Sequence, residues 1–340
     1  MKKEFLVLYD EDEDYVQSFT SYVNSLSNAA FSVAGFTNYE NLINHISKQK
    51  DTVIILPEPL LEERCEELSD RQLIILGDEN YKGIYNDLEV VFKYQSGDDI
   101  IREISRICSE KSSINMRFLS GRRRDDTKIY GVYSPVRRCG STLFSITSSQ
   151  IIGENQRVLY LNFDDNSVVN KIFDCDKIGD LSDLLFYYMH EYSNMPLKLS
   201  SVVVRFGNFD FVPPIENCSD IRNISMDVWK DFLRDIGKWG NYDVLILDIG
   251  ETFSEVIELF EICDKVYMPY LKDDISLMKL ERFEEYIDIS EEDILREKIF
   301  KILMTDNGFD DDINFDINRC MYGTYREFVK SNIWDVVDVG

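Results

Sequence analysis

The stretch "GVYSPVRRCGSTLF", Gly131–Phe144, joins an apolar strand to an apolar helix through a proline, a short polar turn and Gly140-Ser141-Thr142. Backbone N–H groups at such a turn, together with the start of the helix that follows, can cradle a phosphate. Thr142 is placed to offer its hydroxyl to Mg²⁺. The candidate phosphate-facing residues are therefore Pro135, Arg137, Arg138, Cys139, Gly140, Ser141 and Thr142. Ligands of open parallel sheets sit beyond the carboxyl ends of the strands, and two other strand ends carry suitable acids. Asp164 closes "VLYLNFD" and Asp248 closes "VLILD"; a carboxylate there can hold Mg²⁺, often through water. Each feature alone is common. An aspartate at a strand end often just caps a turn, and Cys139 reads as a small filler, not a nucleophile. The order of the three features, with helices between them, is what makes the pattern specific.

Around this stretch the chain alternates strands and helices. "KIYGVYSP", "RVLYLNF", "SSVVVRF", "FDFVPP", "YDVLILDIGE", "DKVYMPYL" and "KIFKILM" read as strands of one sheet. "SDLLFYYMHEY" reads as a helix. Ser225 is positioned to cap another carrying Val228, Trp229, Phe232, Leu233 and Ile236, with Gly237 ending it. Ile275, Met278, Phe283 and Ile287 mark a further helix. Upstream, "EFLVLY", "FSVAGF", "TVIILP", "QLIILG" and "EVVFKY" form a second series of strands. Tyr15, Val16, Phe19, Tyr22, Val23 and Leu26 recur at helical spacing, "NYENLINHISKQ" is helical, and Ile100, Ile101, Ile104 and Ile107 stripe a closing helix. Between the two series, residues 110–127 are polar and without period. The expectation is an α/β protein of two doubly wound domains, residues 1–109 and 128–340, joined by a linker over 110–127.

Composition narrows the function classes. A length of 340 residues fits about two domains, and 44% hydrophobic residues suffice for ordinary cores. A net charge of −26 repels phosphate backbones and anionic membrane surfaces, so neither nucleic acid nor a membrane is an expected partner. The compact basic run Arg122–Arg124 is followed at once by two aspartates and reads as solvated linker. Seven scattered cysteines, an odd number without metal or redox spacing, read as reduced thiols of a cytoplasmic protein. Two histidines far apart in sequence, His45 and His190, argue against a histidine-rich metal site. No signal peptide or membrane span is evident. The tail "YREFVKSNIWDVVDVG" reads as a final helix packed on its domain through Val329, Ile333 and Trp334.

The loop and the two aspartates together resemble the MinD/ParA group of P-loop ATPases, whose deviant Walker A motif is Lys-Gly-Gly-x-Gly-Lys-Thr. Val136-Arg137-Arg138-Cys139-Gly140-Ser141-Thr142 stands in its place. Gly140 and Thr142 match. The signature lysine, which in the group reaches a dimer partner's nucleotide, falls on Val136; the P-loop lysine falls on Ser141; two glycines become Arg137 and Arg138. The resemblance implies ATP and Mg²⁺ as cofactors, Asp164 as the residue positioning the attacking water, and Asp248 as the Walker B carboxylate beside the metal. The first series resembles a receiver domain, with Asp10 and Asp12 as its acidic pair and Lys93 as its lysine. Pro57 stands where the phospho-acceptor aspartate belongs, and the neighbouring Glu58 cannot simply replace it. A pseudo-receiver joined to a MinD-like domain with a small residue in place of the P-loop lysine resembles the CpaE family of pilus-assembly proteins, over nearly the whole chain. That implies a regulatory or scaffolding role in assembling or placing a Tad-type pilus, protein partners reached through the receiver-like domain, and a homodimer as the assembly the group allows.

Loss of a lysine from a triphosphate site removes a charge-assisted contact of about 1.5–3 kcal/mol, roughly a tenfold to hundredfold loss of affinity. Binding can survive this, especially if Arg137 or Arg138 swings in. Hydrolysis suffers more, because such groups act on the transition state. The expected protein binds ATP weakly or not at all and turns it over negligibly. Two alternatives stand: a working ATPase that dimerises with nucleotide, and a ParA-like DNA-partition protein, which the charge disfavours.

Overall fold

The computed structural model describes residues 6–26, 31–48, 52–60, 68, 71–78, 83–85, 88–110, 127–175, 179–190, 194–216, 222–253, 255–289, 293–305 and 316–333. The chain forms two compact units. One comprises Met1–Arg122 with His190–Val202; the other comprises Arg123–Met189 with Val203–Gly340. The proposed linker lies outside the described residues except at Glu110 and Thr127.

In the first unit the elements run β1 (Leu6–Tyr9), α1 (Glu13–Ser25), β2 (Val33–Phe36), α2 (Tyr39–Ile46), β3 (Val53–Pro57), β4 (Gln72–Gly77), β5 (Gly83–Tyr85), β6 (Leu88–Phe92) and α3 (Gly97–Glu110). The sheet order is β2-β1-β3-β4-β6-β5, parallel except for the β5–β6 ladder. It is the flavodoxin-like doubly wound order with one added hairpin strand. Strands with helices on both faces need apolar residues at every position; accordingly Leu6, Val7, Leu8, Ile54, Ile55, Leu56, Ile74 and Ile75 are all buried. Asp12 caps α1 by accepting from the Tyr15 N–H, and Val16, Phe19 and Val23 face the core. Helix α3 buries the expected isoleucines, but it also buries Arg102, Ser105 and Ser109 on another face. A helix from far along the chain, Met195–Val202, packs on α3 and adds Leu197 to this core. Residues 200–202, read from their valines as the start of a strand, are thus helical, and only Val204–Phe206 is extended. The segment 190–202 also groups with the first unit, although it falls within the 128–340 of the sequence reading.

At the carboxyl edge of this sheet Lys93 Nζ lies 2.7 Å from Asp10 Oδ2, both side chains buried. Asp10 Oδ1 also accepts from the Asp12 N–H at 2.9 Å. The Lys93 ammonium sits 4.7 Å from the Tyr15 ring centroid. Burial works against the charge on Lys93, yet Asp10 holds its pKa above the usual lysine value. Pro57 closes β3.

The second unit contains β7 (Lys128–Tyr133), α4 (Ser141–Ile152), β8 (Val158–Asn162), α5 (Val169–Ile172) and α6 (Leu181–Met189). The Met195–Val202 helix just described is α7. There follow β9 (Val204–Phe206), β10 (Phe209–Val212), α8 (Met226–Trp239), β11 (Val244–Ile249), α9 (Val256–Ile262), β12 (Lys265–Tyr270), α10 (Asp274–Ile289), α11 (Asp293–Lys298), β13 (Ile299–Leu303), α12 (Ile317–Tyr322) and α13 (Thr324–Asn332). The sheet order is β13-β12-β7-β11-β8-β10-β9, mostly parallel, with an antiparallel β9–β10 ladder. The chain leaves β7 for β8 on one side and leaves β11 for β12 on the other. The strand order therefore reverses around β7 and β11, where doubly wound sheets place their ligands.

Two helix readings change in the structure. Helix α8 runs past Gly237 to Trp239 and stops at Gly240; Gly237 is buried, and a Cβ there would come within 2.7 Å of Thr127 Cγ2. Along α10 the buried stripe is Ser276, Leu280, Phe283 and Ile287, while Ile275 and Met278 are 68% and 67% exposed. Helices α12 and α13 pack on α4, with Tyr325, Val329 and Ile333 in the same core as Phe144 and Ile151. The final helix is therefore packed on its domain; Trp334 lies outside the described residues.

Candidate functional site

The turn between β7 and α4 is shaped by its own side chains. Ser134 Oγ accepts from the Val136 N–H at 3.1 Å. The buried Cys139 thiol lies 3.1 Å from the same oxygen and 3.4 Å from both Ser141 Oγ and the Pro269 carbonyl. Cys139 thus ties the turn to the end of β12, as a filler with a weak polar anchor. Gly140 takes φ 86°, the left-handed region that glycine occupies at no steric cost. Arg137 and Arg138 take φ 61° and 50°, so the turn keeps a left-handed backbone at two places where the residues are not glycine. Both arginine side chains are exposed, and Pro135, Ser141 and Thr142 are half-buried. Among the described residues, none of the N–H groups from Arg137 to Leu143 donates to a protein acceptor. Seven consecutive amides are thereby left for solvent or a ligand.

Strand register brings the carboxylates to this turn. Asp248 pairs across the sheet with Val132 on one side and Asn162 on the other, so it lies at the carboxyl edge from which the turn springs. It is 3% exposed. Its Oδ2 accepts from Asn162 Nδ2 at 2.6 Å and from the Tyr160 hydroxyl at 2.9 Å. The Thr142 hydroxyl lies close enough to the same carboxylate to favour its charged form. Burial pushes the Asp248 pKa up to about 6; the donors from Tyr160, Thr142 and Asn162 oppose the rise, and the nearby charge of Asp164 adds to it. Asp164 is half-buried, and its Oδ1 caps its own turn by accepting from the Asn166 N–H at 3.1 Å. Both aspartates therefore stand with Thr142 at one end of the sheet. That arrangement offers two acids and a hydroxyl beside a row of free amides.

Several neighbours were not singled out from the sequence. Tyr160 and Asn162, two residues apart on β8, supply the buried donors to Asp248; "YLNFD" shows the alternation, though not the partner. Gly250 lies where the ends of β8 and β11 meet, and a Cβ on it would come within 2.5 Å of Asp164 Cα. Thr252 donates to the Phe163 carbonyl at 2.7 Å and to Asp165 Oδ1 at 2.9 Å, and Arg222 pairs with Asp165. Glu251 holds Arg137 at 2.5 Å. Lys279, from α10, reaches the Val136 carbonyl at 3.5 Å. No sequence spacing announces these last contacts, which depend on how distant elements pack. Among the described residues there is no cluster of three metal-ligating side chains of the His, Cys, Asp or Glu type, and no helix is long and apolar enough to cross a membrane.

No protein-family model matches the chain, and no curated protein matches it significantly. Solved structures do. The chain is similar to a ParA family ATPase from Chlorobium tepidum TLS at 15% identity, over 64% of this chain and 93% of that one, with a TM-score of 0.46. A plasmid partition protein from Borrelia burgdorferi B31 bound to AMPPNP is 15% identical over 62% and 98%, with a TM-score of 0.44. A chain of the MinC:MinD cell division protein complex of Aquifex aeolicus is similar at 13% identity over 52% of this chain and 68% of that one, with a TM-score of 0.41.

Proposed function

We propose that the chain is a regulatory or scaffolding homologue of MinD/ParA-type P-loop ATPases, which retains a seat for a Mg²⁺-nucleotide but binds it weakly and turns it over negligibly. One observation carries the reading: strand register sets the buried Asp248 beside the strand that leads into a turn whose amides from Arg137 to Leu143 have no protein acceptor among the described residues, with the Thr142 hydroxyl close enough to lower the Asp248 pKa. A hydroxyl and a carboxylate side by side can share a cation, and a row of amides at a helix start suits phosphate. The residues thus fit Mg²⁺ and a phosphate chain. Thr142 and Asp248 would hold the ion, the 137–143 backbone would hold the phosphates, and the ion would neutralise charge on them. Ser141 and Val136 supply no ammonium, so the electrostatic stabilisation that phosphoryl transfer depends on is weak.

The role we assign to the first unit is that of an interaction module. The Lys93 ammonium is taken up by Asp10, and Pro57 offers no oxygen to phosphorylate. A place in Tad-type pilus assembly is the setting this combination favours, with partners that are proteins. The test pairs isothermal titration of Mg-ATP into the full chain with a phosphate-release assay. Weak binding with turnover near background is expected. Turnover like that of an ordinary ATPase of the MinD type would overturn the reading, and retention on non-specific DNA at low salt would favour a partition role.

A further inference from the structure

The turn lacks lysine at both positions where the resemblance implies one, yet an ammonium lies against it. Lys279 Nζ is 3.5 Å from the carbonyl of Val136, the residue standing where the signature lysine falls. We propose that Lys279 is the cation that contacts the phosphate chain of a ligand seated on the 135–142 turn, replacing from α10 a charge the turn itself has lost.

Three observations carry this. First, Lys279 has no carboxylate partner among the described residues, in a chain with 63 acidic residues against 37 lysines and arginines. A lysine on so acidic a protein finds an acid easily; this one rests on a long carbonyl contact that a phosphate oxygen would readily outcompete. Second, its helix is firmly placed. Ser276, Leu280, Phe283 and Ile287 are buried, and Asp273 accepts from the Ser276 N–H at 3.0 Å and from its hydroxyl at 2.5 Å. Lys279 thus projects from a fixed backbone with only its own side chain left to adjust. Third, the nearest competitor is engaged: Arg137 is held by Glu251. Arg138 is exposed and sits on the turn, so it is the alternative that the experiment must separate.

This inference rests on the proposed nucleotide seat, and the test distinguishes the two. Mg-ATP is titrated calorimetrically into the full-length protein and into Lys279→Gln, Lys279→Arg and Arg138→Gln variants at two salt concentrations, with thermal melts checking that each variant folds. Lys279→Gln should weaken binding about tenfold to a hundredfold, as expected for one charge-assisted phosphate contact, and should flatten the salt dependence. Lys279→Arg should restore most of the affinity, and Arg138→Gln should weaken binding less than Lys279→Gln does. A wild-type protein that fails to bind Mg-ATP at millimolar concentration overturns the seat itself. Wild-type binding that Lys279→Gln leaves intact, or that Arg138→Gln abolishes instead, overturns the role of Lys279 and leaves the seat standing.

Discussion

Asp248 illustrates how a carboxylate can be kept in a nearly dry place without being lost to protonation. Burial raises its pKa to about 6, and the Tyr160, Thr142 and Asn162 donors keep the rise from going further. The linkage sign follows from the shift. An acid whose folded-state pKa lies above its ordinary 3.8 binds more protons folded than unfolded between about pH 4 and 6. Stability therefore falls as pH rises through that window, by at most about 3 kcal/mol for a shift of roughly two units, and the loss is complete above pH 6. Asp248→Asn removes the charge and keeps the shape, at the expense of about one hydrogen bond. In urea denaturation of the ligand-free protein it should be stabilising by about 1–2 kcal/mol at pH 8, with the advantage shrinking towards pH 4. An advantage that stays constant from pH 4 to 8 would show that Asp248 does not carry this titration. The positions of Asp164 and Asp248 at the carboxyl edge were legible because strand ends can be read from apolar runs followed by a polar residue. The donors to Asp248 and the reach of Lys279 were not, because cross-strand register and helix docking fix them, and neither leaves a mark in local spacing. The left-handed Arg137 and Arg138 could be inferred only as a conflict, since the turn asks for glycine and the sequence gives arginine.

Elements were legible where one period dominates. The isoleucine stripe of α3 and the buried strands stand as expected, and Ser225 sits at the start of α8 although its side chain makes no capping hydrogen bond. The failures share a cause, which is packing that overrides local preference. Valines around residue 202 favour an extended chain on their own, yet that segment is held helical against α3. In α10 both Ile275 and Ser276 fit a helical stripe, and the face that the sheet needs is the one with serine. The last helix tests the same point. Val329 is fully buried in the core that α13 shares with α4. Val329→Asp places an unpaired carboxylate there and should cost several kcal/mol, on the order of 3–5, read as a large fall in melting temperature. A free α13, available to lie on a membrane, would leave the melting temperature unchanged and alter vesicle co-sedimentation instead.

At the scale of the whole molecule, the two units are not two consecutive lengths of chain. The polypeptide completes the strands of the first unit by residue 92, enters the second, and then returns with residues 190–202 before finishing the second sheet. Helix α3 explains why the return is needed. It buries Ile100, Ile104, Ile107 and Cys108 with the first core, and it also buries Arg102, Ser105 and Ser109; α7 packs on this helix. Leu197 is completely buried in that core. A fragment ending at residue 110 therefore contains every strand of the first sheet but lacks the helix that covers α3. It should unfold at lower urea concentration and with a shallower transition than the same unit in the full chain, and it should bind a hydrophobic dye. Appending residues 194–202 through a flexible linker should restore much of the difference. In the intact protein, Leu197→Ala should cost about 2–4 kcal/mol, the usual range for truncating a fully buried leucine. A 1–110 fragment as stable and cooperative as the full chain would show that α7 is a passenger on the first unit; the expected result makes the unit's folding depend on a segment encoded between two elements of the second.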